Sequence, residues 1–131
     1  MATVVIAEDD ADLLAVFVRV LTRAGHRVIA CPDGGSALAK VRADRPDLVL
    51  TDVDMPPGIS GLELIAAIRS DPEVTGVPVI VATGGGVCAE MAEAVGATLL
   101  LHKPLSPRAL ATHVETVLTG NAGTTSAPAA A

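Results

Sequence analysis

Acidic side chains, a threonine and a lysine follow short apolar runs at four places in the 131-residue chain. Glu8 and Asp9 follow the first run, Asp52 and Thr83 end two later ones, and Lys103 follows the last. Two carboxylates at 4 Å repel each other by about 4 kcal/mol at an effective dielectric of 20. If the fold brings these carboxylates together, they need protons or cations as compensation.

A lysine and a divalent cation would together compensate such a cluster. Mg²⁺ prefers oxygen ligands and keeps several waters, which leaves positions for phosphoryl oxygens. A carboxylate beside a metal, a lysine and a hydroxyl can carry out phosphoryl transfer. Asp52 would then be the nucleophile, while Mg²⁺ and Lys103 neutralise charge on the phosphoryl oxygens.

Five β-branched or apolar runs predict the strands that must position these groups. Two of the runs are continuously apolar, as expected for parallel strands that are buried on both faces. The approximate strand ranges are Thr3 to Ala7, Arg27 to Cys31, Asp47 to Asp52, Pro78 to Thr83 and Thr98 to His102.

Helical patterns separate and follow the strands. Asp10 and Asp12 favour the positive end of the first helix, and Ser106 and Pro107 begin the fifth. Five βα units predict an α/β fold: a flavodoxin-like, doubly wound, five-stranded parallel sheet of order 2-1-3-4-5 with five helices. The functional crevice of such a sheet lies at the carboxyl ends of strands 1 and 3.

The chain is expected to form one domain over residues 1–120, followed by a disordered Ala/Thr/Pro tail over residues 121–131. Net charge is −6 and Phe17 is the one aromatic residue, which argues against nucleic-acid binding. No apolar run approaches a membrane span. Cys31 and Cys88 lack metal-ligand spacing and fit a reducing cytosol, so the predicted location is cytoplasmic.

The candidate residues lie in stretches that keep a distinctive order. These are Val4–Asp10, Asp47–Pro56, Val79–Thr83, Gly96-Ala97 and His102–Pro104. Together they resemble the receiver domain of bacterial two-component response regulators, the CheY-like family, over about residues 3 to 119.

The resemblance implies a Mg²⁺ site and a phosphoacceptor. Asp9 would bind the metal directly and Glu8 through water. Asp52 would be both metal ligand and phosphoacceptor, and the backbone carbonyl of Asp54 would complete the protein ligands.

The resemblance also assigns roles at the last two strands. Thr83 would hydrogen-bond the phosphoryl group, Lys103 would pair with a phosphoryl oxygen, and the Lys103–Pro104 peptide would be cis. The phosphodonor would be a sensor histidine kinase or a histidine phosphotransfer protein. A stand-alone receiver, as a monomer or weak dimer, would then signal by contact with a downstream protein.

The sequence departs from the family pattern at four places. Leu100 stands at the switch position, where an aromatic residue is usual, and Leu105 replaces a common Phe. Gly84 replaces a small Ala. The loop Met55–Gly61 is about one residue long, and the segment from Thr83 to Gly96 is a residue or two short.

Two other functions compete with the receiver. Leu100 motivates a receiver-fold scaffold that signals without phosphorylation. The Asp52-Val53-Asp54 triplet resembles the D-x-D of haloacid-dehalogenase-like phosphatases, but there the nucleophile strand normally comes first in the chain. The receiver is expected to catalyse only its own phosphorylation and dephosphorylation, and not to be a turnover enzyme.

Overall fold

The computed structural model describes residues 2–85 and 89–120. The predicted tail of residues 121–131 and Cys88 lie outside the described residues. Strands and helices alternate along the chain: β1 (Thr3–Ala7), α1 (Ala11–Arg23), β2 (Arg27–Cys31), α2 (Gly34–Asp44), β3 (Leu48–Asp52), α3 (Gly61–Ser70), β4 (Val79–Thr83), α4 (Ala89–Val95), β5 (Leu99–His102) and α5 (Pro107–Leu118).

The strands form one parallel sheet of order β2-β1-β3-β4-β5, which confirms the predicted topology. Ala7 pairs with Thr51, and Asp52 pairs with Ala82. This register brings the carboxyl ends of β1, β3 and β4 to the same level. Side chains that follow these strands therefore meet at one end of the sheet.

Two hydrophobic layers cover the sheet. One layer holds the buried residues of α1 and α5, and the other holds those of α2 and α3 with Ala97 and Val95 packed against it. Every residue of β4 is buried, which is what its continuously apolar sequence predicts for a strand covered on both faces. None of the helices in the described residues has the length and apolar character of a membrane span.

Side-chain caps fix where several helices begin. Asp10 caps α1 by accepting hydrogen bonds from the amides of Asp12 (3.0 Å) and Leu13 (3.1 Å). Ser106 caps α5, with Pro107 as its first residue, as predicted. A reciprocal capping box between Ser60 and Glu63 begins α3.

Three strands begin one residue later than predicted: β3 at Leu48, β4 at Val79 and β5 at Leu99. β3 begins at Leu48 and not at Asp47, whose side chain accepts from the Thr3 amide at 2.8 Å. α2 begins at Gly34, directly after Asp33, whose side chain caps it by accepting from the Ser36 amide at 2.7 Å. The segment predicted to be short contains α4, which has seven residues.

Candidate functional site

Three carboxylates converge where β1 and β3 end. Glu8, Asp9 and Asp52 each offer an oxygen atom, and these oxygens lie within 4.8 Å of one another. The Glu8 side chain is 1% exposed and that of Asp52 is 13% exposed, whereas Asp9 is exposed to solvent. The convergence follows from the adjacency of β1 and β3, and it provides an all-oxygen donor set that can hold a hard cation.

Lys103 reaches this cluster from the end of β5. Its Nζ lies 2.9 Å from Glu8 Oε1 and 3.2 Å from Asp52 Oδ2. Its backbone amide donates to the Thr83 carbonyl at 2.8 Å, and the following peptide to Pro104 is cis. The ammonium contacts two of the three carboxylates, so the cluster has more negative than positive charge.

The pKa values of Glu8 and Lys103 are both raised. Burial raises the pKa of Glu8; hydrogen bonds from Lys103 and the Asp10 amide oppose this rise, and the charge of Asp52 adds to it. Burial lowers the pKa of Lys103, but the bond to Glu8 and the charges of Glu8 and Asp52 outweigh it, so its pKa is raised. Lys103 is thus held in its charged form.

The Asp52 carboxylate is oriented by two different donors. Oδ1 accepts a hydrogen bond from the Val53 amide at 2.7 Å, and Oδ2 faces Lys103. The Asp52 carbonyl accepts from the Thr51 hydroxyl at 2.9 Å, and Thr51 also contacts the buried Met55 sulfur at 4.0 Å. The main chain and the carboxylate of Asp52 are therefore both anchored while its side chain keeps some exposure to solvent.

Thr83 is buried at the end of β4, beside β3. Its hydroxyl accepts from the Gly85 amide at 3.1 Å and donates to the Gly85 carbonyl at 3.0 Å. The neighbouring residue Ala82 pairs with Asp52, so the hydroxyl lies one position beyond the carboxylate-bearing residue. If this hydroxyl is to donate to a group on Asp52, it must give up its donation to the Gly85 carbonyl.

Asp54 and Leu100 lie where the sequence pattern suggests. Asp54 follows β3 with an exposed side chain, and the metal-binding role of its backbone carbonyl stays a prediction. Leu100 lies in β5 opposite Val81 and packs, half-buried, against the layer formed with α2 and α3. An aliphatic side chain therefore occupies the switch position.

One residue that contacts the site did not emerge from the sequence pattern. Gly61, the first residue of α3, is buried and its amide donates to the Val53 carbonyl at 2.7 Å. The capping signature of Ser60 and Glu63 would have placed this helix start. The approach of Gly61 to β3 depends on the path of the loop, for which the sequence has no local signal.

A family model described as the response regulator receiver domain matches residues 4–115. The chain belongs to this family. The predicted membership and the predicted fold of the receiver domain are thereby confirmed.

Proteins similar to this chain differ in length. Protein PilH of Pseudomonas aeruginosa is 30% identical over 122 residues, which are 92% of this chain and 100% of PilH. The DNA-binding response regulator MtrA of Mycobacterium tuberculosis is 32% identical over 120 residues, which are 90% of this chain but 51% of MtrA. The crystal structure of CheY4 of Vibrio cholerae superimposes with a TM-score of 0.83 at 31% identity, covering 89% of this chain and 98% of CheY4.

Proposed function

We propose that this receiver takes a phosphoryl group onto Asp52 from a sensor histidine kinase or a histidine phosphotransfer protein, with Mg²⁺ as cofactor. The observation that carries the proposal is the convergence of Glu8, Asp9 and Asp52, with Lys103 Nζ 3.2 Å from the Asp52 carboxylate. A nucleophile, a metal-binding oxygen set and a cation thus lie together at one end of the sheet.

The donor set fits Mg²⁺ in the way that the family resemblance implies. Both oxygens of Glu8 are engaged, one by Lys103 at 2.9 Å and the other by the Asp10 amide at 3.2 Å. Glu8 is therefore better placed to hold a metal-bound water than to bind the metal directly. The exposed Asp9 and the Asp52 carboxylate would be direct ligands, together with the Asp54 carbonyl.

The proposed transfer uses groups that are already oriented. A carboxylate oxygen of Asp52 attacks the phosphorus, the bond from phosphorus to the donor's imidazole nitrogen breaks, and that nitrogen takes a proton from solvent. Lys103 neutralises charge on a transferring oxygen, and bound Mg²⁺ supplies further neutralisation. Thr83 then gives up its hydrogen bond to the Gly85 carbonyl and donates to the phosphoryl group instead.

The wider role is also a proposal. The match over the whole length of PilH supports a receiver that signals by contact with a downstream protein. We propose that it does so in the cytoplasm as a monomer or weak dimer, and that it is not a turnover enzyme. The buried, free thiol of Cys31 fits a reducing compartment.

A receiver-fold scaffold that needs no phosphorylation is the second candidate. Leu100 favours it because the usual aromatic side chain that would move on phosphorylation is replaced by leucine. The complete set of Glu8, Asp9, Asp52 and Lys103 favours phosphorylation, since a scaffold has no use for a cluster of like charges.

Intact-mass spectrometry after incubation with Mg²⁺ and acetyl phosphate distinguishes the two candidates. We expect the wild-type protein to gain one phosphoryl group, and chelation of Mg²⁺ or the substitution Asp52→Ala to prevent the gain. Asp54→Ala is the matched control, because only its backbone carbonyl has a role and the gain should persist. No gain by the wild type, under conditions where calorimetry shows Mg²⁺ bound, would support the scaffold instead.

A further inference from the structure

The first residue of α3 lies against the backbone of the proposed phosphoacceptor. A Cβ atom on Gly61 would lie 1.9 Å from the Asp52 carbonyl oxygen, 2.9 Å from its carbonyl carbon and 3.1 Å from Val53 Cα. All three neighbours are backbone atoms, so no rotation of a side chain could relieve the overlap. Restoring a separation of 3.0 Å from the oxygen would require a movement of more than 1 Å.

Other tightly packed glycines of the described residues contact different groups. A Cβ on Gly96 would meet the flexible side chain of Arg69, and one on Gly34 would meet Ile59, whose Cγ1 would be 2.6 Å away. Neither of these contacts involves a residue of the site. Within the described part of the chain, Gly61 is thus the glycine whose missing side chain bears on Asp52 itself.

The contact reaches the carboxylate through one planar peptide. The Asp52 carbonyl and the Val53 amide belong to the same rigid unit, so they move together. That amide donates to Asp52 Oδ1 at 2.7 Å. A displacement of the carbonyl would therefore also move the donor that orients the carboxylate toward Lys103.

We propose that Gly61 is a positioning residue for phosphorylation: its lack of a side chain lets α3 close onto the Asp52 peptide and sets the carboxylate in its reactive place. This inference rests on the proposed phosphorylation of Asp52. It assigns the glycine a role in the chemistry of the site beyond the start of a helix.

Gly61→Ala tests the inference against Gly76→Ala, whose added Cβ would meet nothing within 4 Å. The initial rate of phosphoryl addition from acetyl phosphate is measured at saturating Mg²⁺, at a temperature where circular dichroism shows each variant folded. Because a shift of 1 Å at a reacting group is costly, we expect Gly61→Ala to be slower by about tenfold to a hundredfold. Gly76→Ala should stay within about twofold of the wild type, since it changes no contact. A folded Gly61→Ala with the wild-type rate would overturn the proposal.

Ser60→Ala separates positioning from mere helix stability. It removes the cap of the same helix without adding an atom near Asp52, so it should lower the melting temperature and leave the rate within about twofold. A loss of rate in Ser60→Ala equal to that in Gly61→Ala would show that helix stability is the cause and would refute the proposal.

A readout without phosphorylation keeps the two proposals distinguishable. In metal-free protein, the NMR resonance of the Asp52 carboxyl carbon should move in Gly61→Ala and stay in place in Ser60→Ala and Gly76→Ala. If the wild type accepts no phosphoryl group, the proposed function fails while this resonance still tests the positioning. An unmoved Asp52 resonance in Gly61→Ala would reject the positioning alone.

If Gly61→Ala does not fold, Thr51→Val tests whether the anchored Asp52 peptide is needed for phosphorylation. The Thr51 hydroxyl donates to the same Asp52 carbonyl at 2.9 Å, so valine loosens that carbonyl without adding bulk. We expect phosphorylation to slow by about two- to tenfold, the effect of one lost hydrogen bond. A wild-type rate with a wild-type Asp52 resonance would contradict the role of the anchored peptide.

Discussion

Polar groups at the amino end of the sheet form complementary pairs, whereas those at the carboxyl end include carboxylates that repel one another. At the amino end, the Thr3 amide donates to Asp47 Oδ2 and the Asp47 amide donates to the Thr3 carbonyl, both at 2.8 Å. The buried His26 has Nε2 2.8 Å from Glu115 Oε2 and accepts from the Ala2 amide at 3.3 Å. Each of these groups has a complementary partner, so this end ties β1, β2, β3 and α5 together.

At the carboxyl end, the same strands lead into groups that repel one another. Glu8 and Asp52 share the ammonium of Lys103, with the Asp9 carboxylate close to both, and burial holds the pKa of Glu8 above its ordinary value. Proteins keep such arrangements at functional sites, where stability is exchanged for reactivity. The comparison predicts that substitutions at the amino end change the stability of the fold alone. Substitutions at the carboxyl end should change the phosphorylation rate and the stability independently of each other.

Lys103→Met should give the largest effect. It removes the cation beside Asp52, so phosphorylation from acetyl phosphate should slow by about a hundredfold to a thousandfold, as when a charge-stabilising donor is lost. It also leaves the buried Glu8 without its cationic partner, which should cost about 3 kcal/mol, the lower end for a broken buried pair because Glu8 can take up a proton. Mass spectrometry gives the rate, and urea denaturation gives the free energy of unfolding.

Two controls interpret that result. Lys40→Met, at an exposed lysine in α2, should change neither quantity. Adding Glu8→Gln to Lys103→Met removes the uncompensated charge, so it should restore stability without restoring the rate. If the double variant is no more stable than Lys103→Met, the uncompensated charge of Glu8 does not destabilise the fold.

Glu115→Ala should give an intermediate effect, on stability alone. It leaves His26, whose side chain is 6% exposed, without its Nε2 partner, at a cost of about 1–2 kcal/mol. The phosphorylation rate should not change, because Glu115 lies at the opposite end of the sheet. Urea denaturation measures the loss, and Glu115→Gln, which keeps an acceptor oxygen, should lose less. An altered phosphorylation rate in Glu115→Ala would break the separation between the two ends.

The two ends also differ in how far the sequence predicts them. The carboxyl end was predictable because Glu8, Asp52 and Lys103 follow strands of one parallel sheet, whose carboxyl ends must meet. The pairing of His26 with Glu115 was not, since it joins residues 89 apart and depends on how α5 packs against the strands. Periodicity assigns elements, but it does not specify which side chains of separate elements meet.

The same limit explains the details that sequence reasoning missed near the site. Asp10 was interpreted as favouring a helix end, and the structure shows a direct cap, which is a local contact of the same residue. Gly61 lies nine residues after Asp52 and approaches it through an irregular loop. This close approach could not be predicted, because no local pattern encodes how closely a loop returns to its strand.

Asp33 gives the smallest expected effect and sharpens the comparison within the carboxyl end. Its carboxylate caps α2, and the hydrogen bond from the Ser36 amide, with one from the Ser36 hydroxyl, holds its pKa below the ordinary value. A folded pKa below the unfolded one adds stability above the unfolded value of 3.8, and this stability is lost as the pH falls through the folded value.

Asp33→Asn keeps an acceptor for the cap but cannot ionise. Denaturation midpoints of the wild type and the variant, compared from neutral pH to below about pH 3, should therefore differ slightly at neutral pH and converge in acid. The raised pKa of Glu8 has the opposite sign, because ionisation there opposes folding. A constant difference at all pH values would mean that the Asp33 charge contributes nothing to stability. Convergence in acid would show that the charge of Asp33 stabilises the fold. The destabilising charge at this end of the sheet would then belong to the cluster around Asp52 and not to every carboxylate that follows a strand.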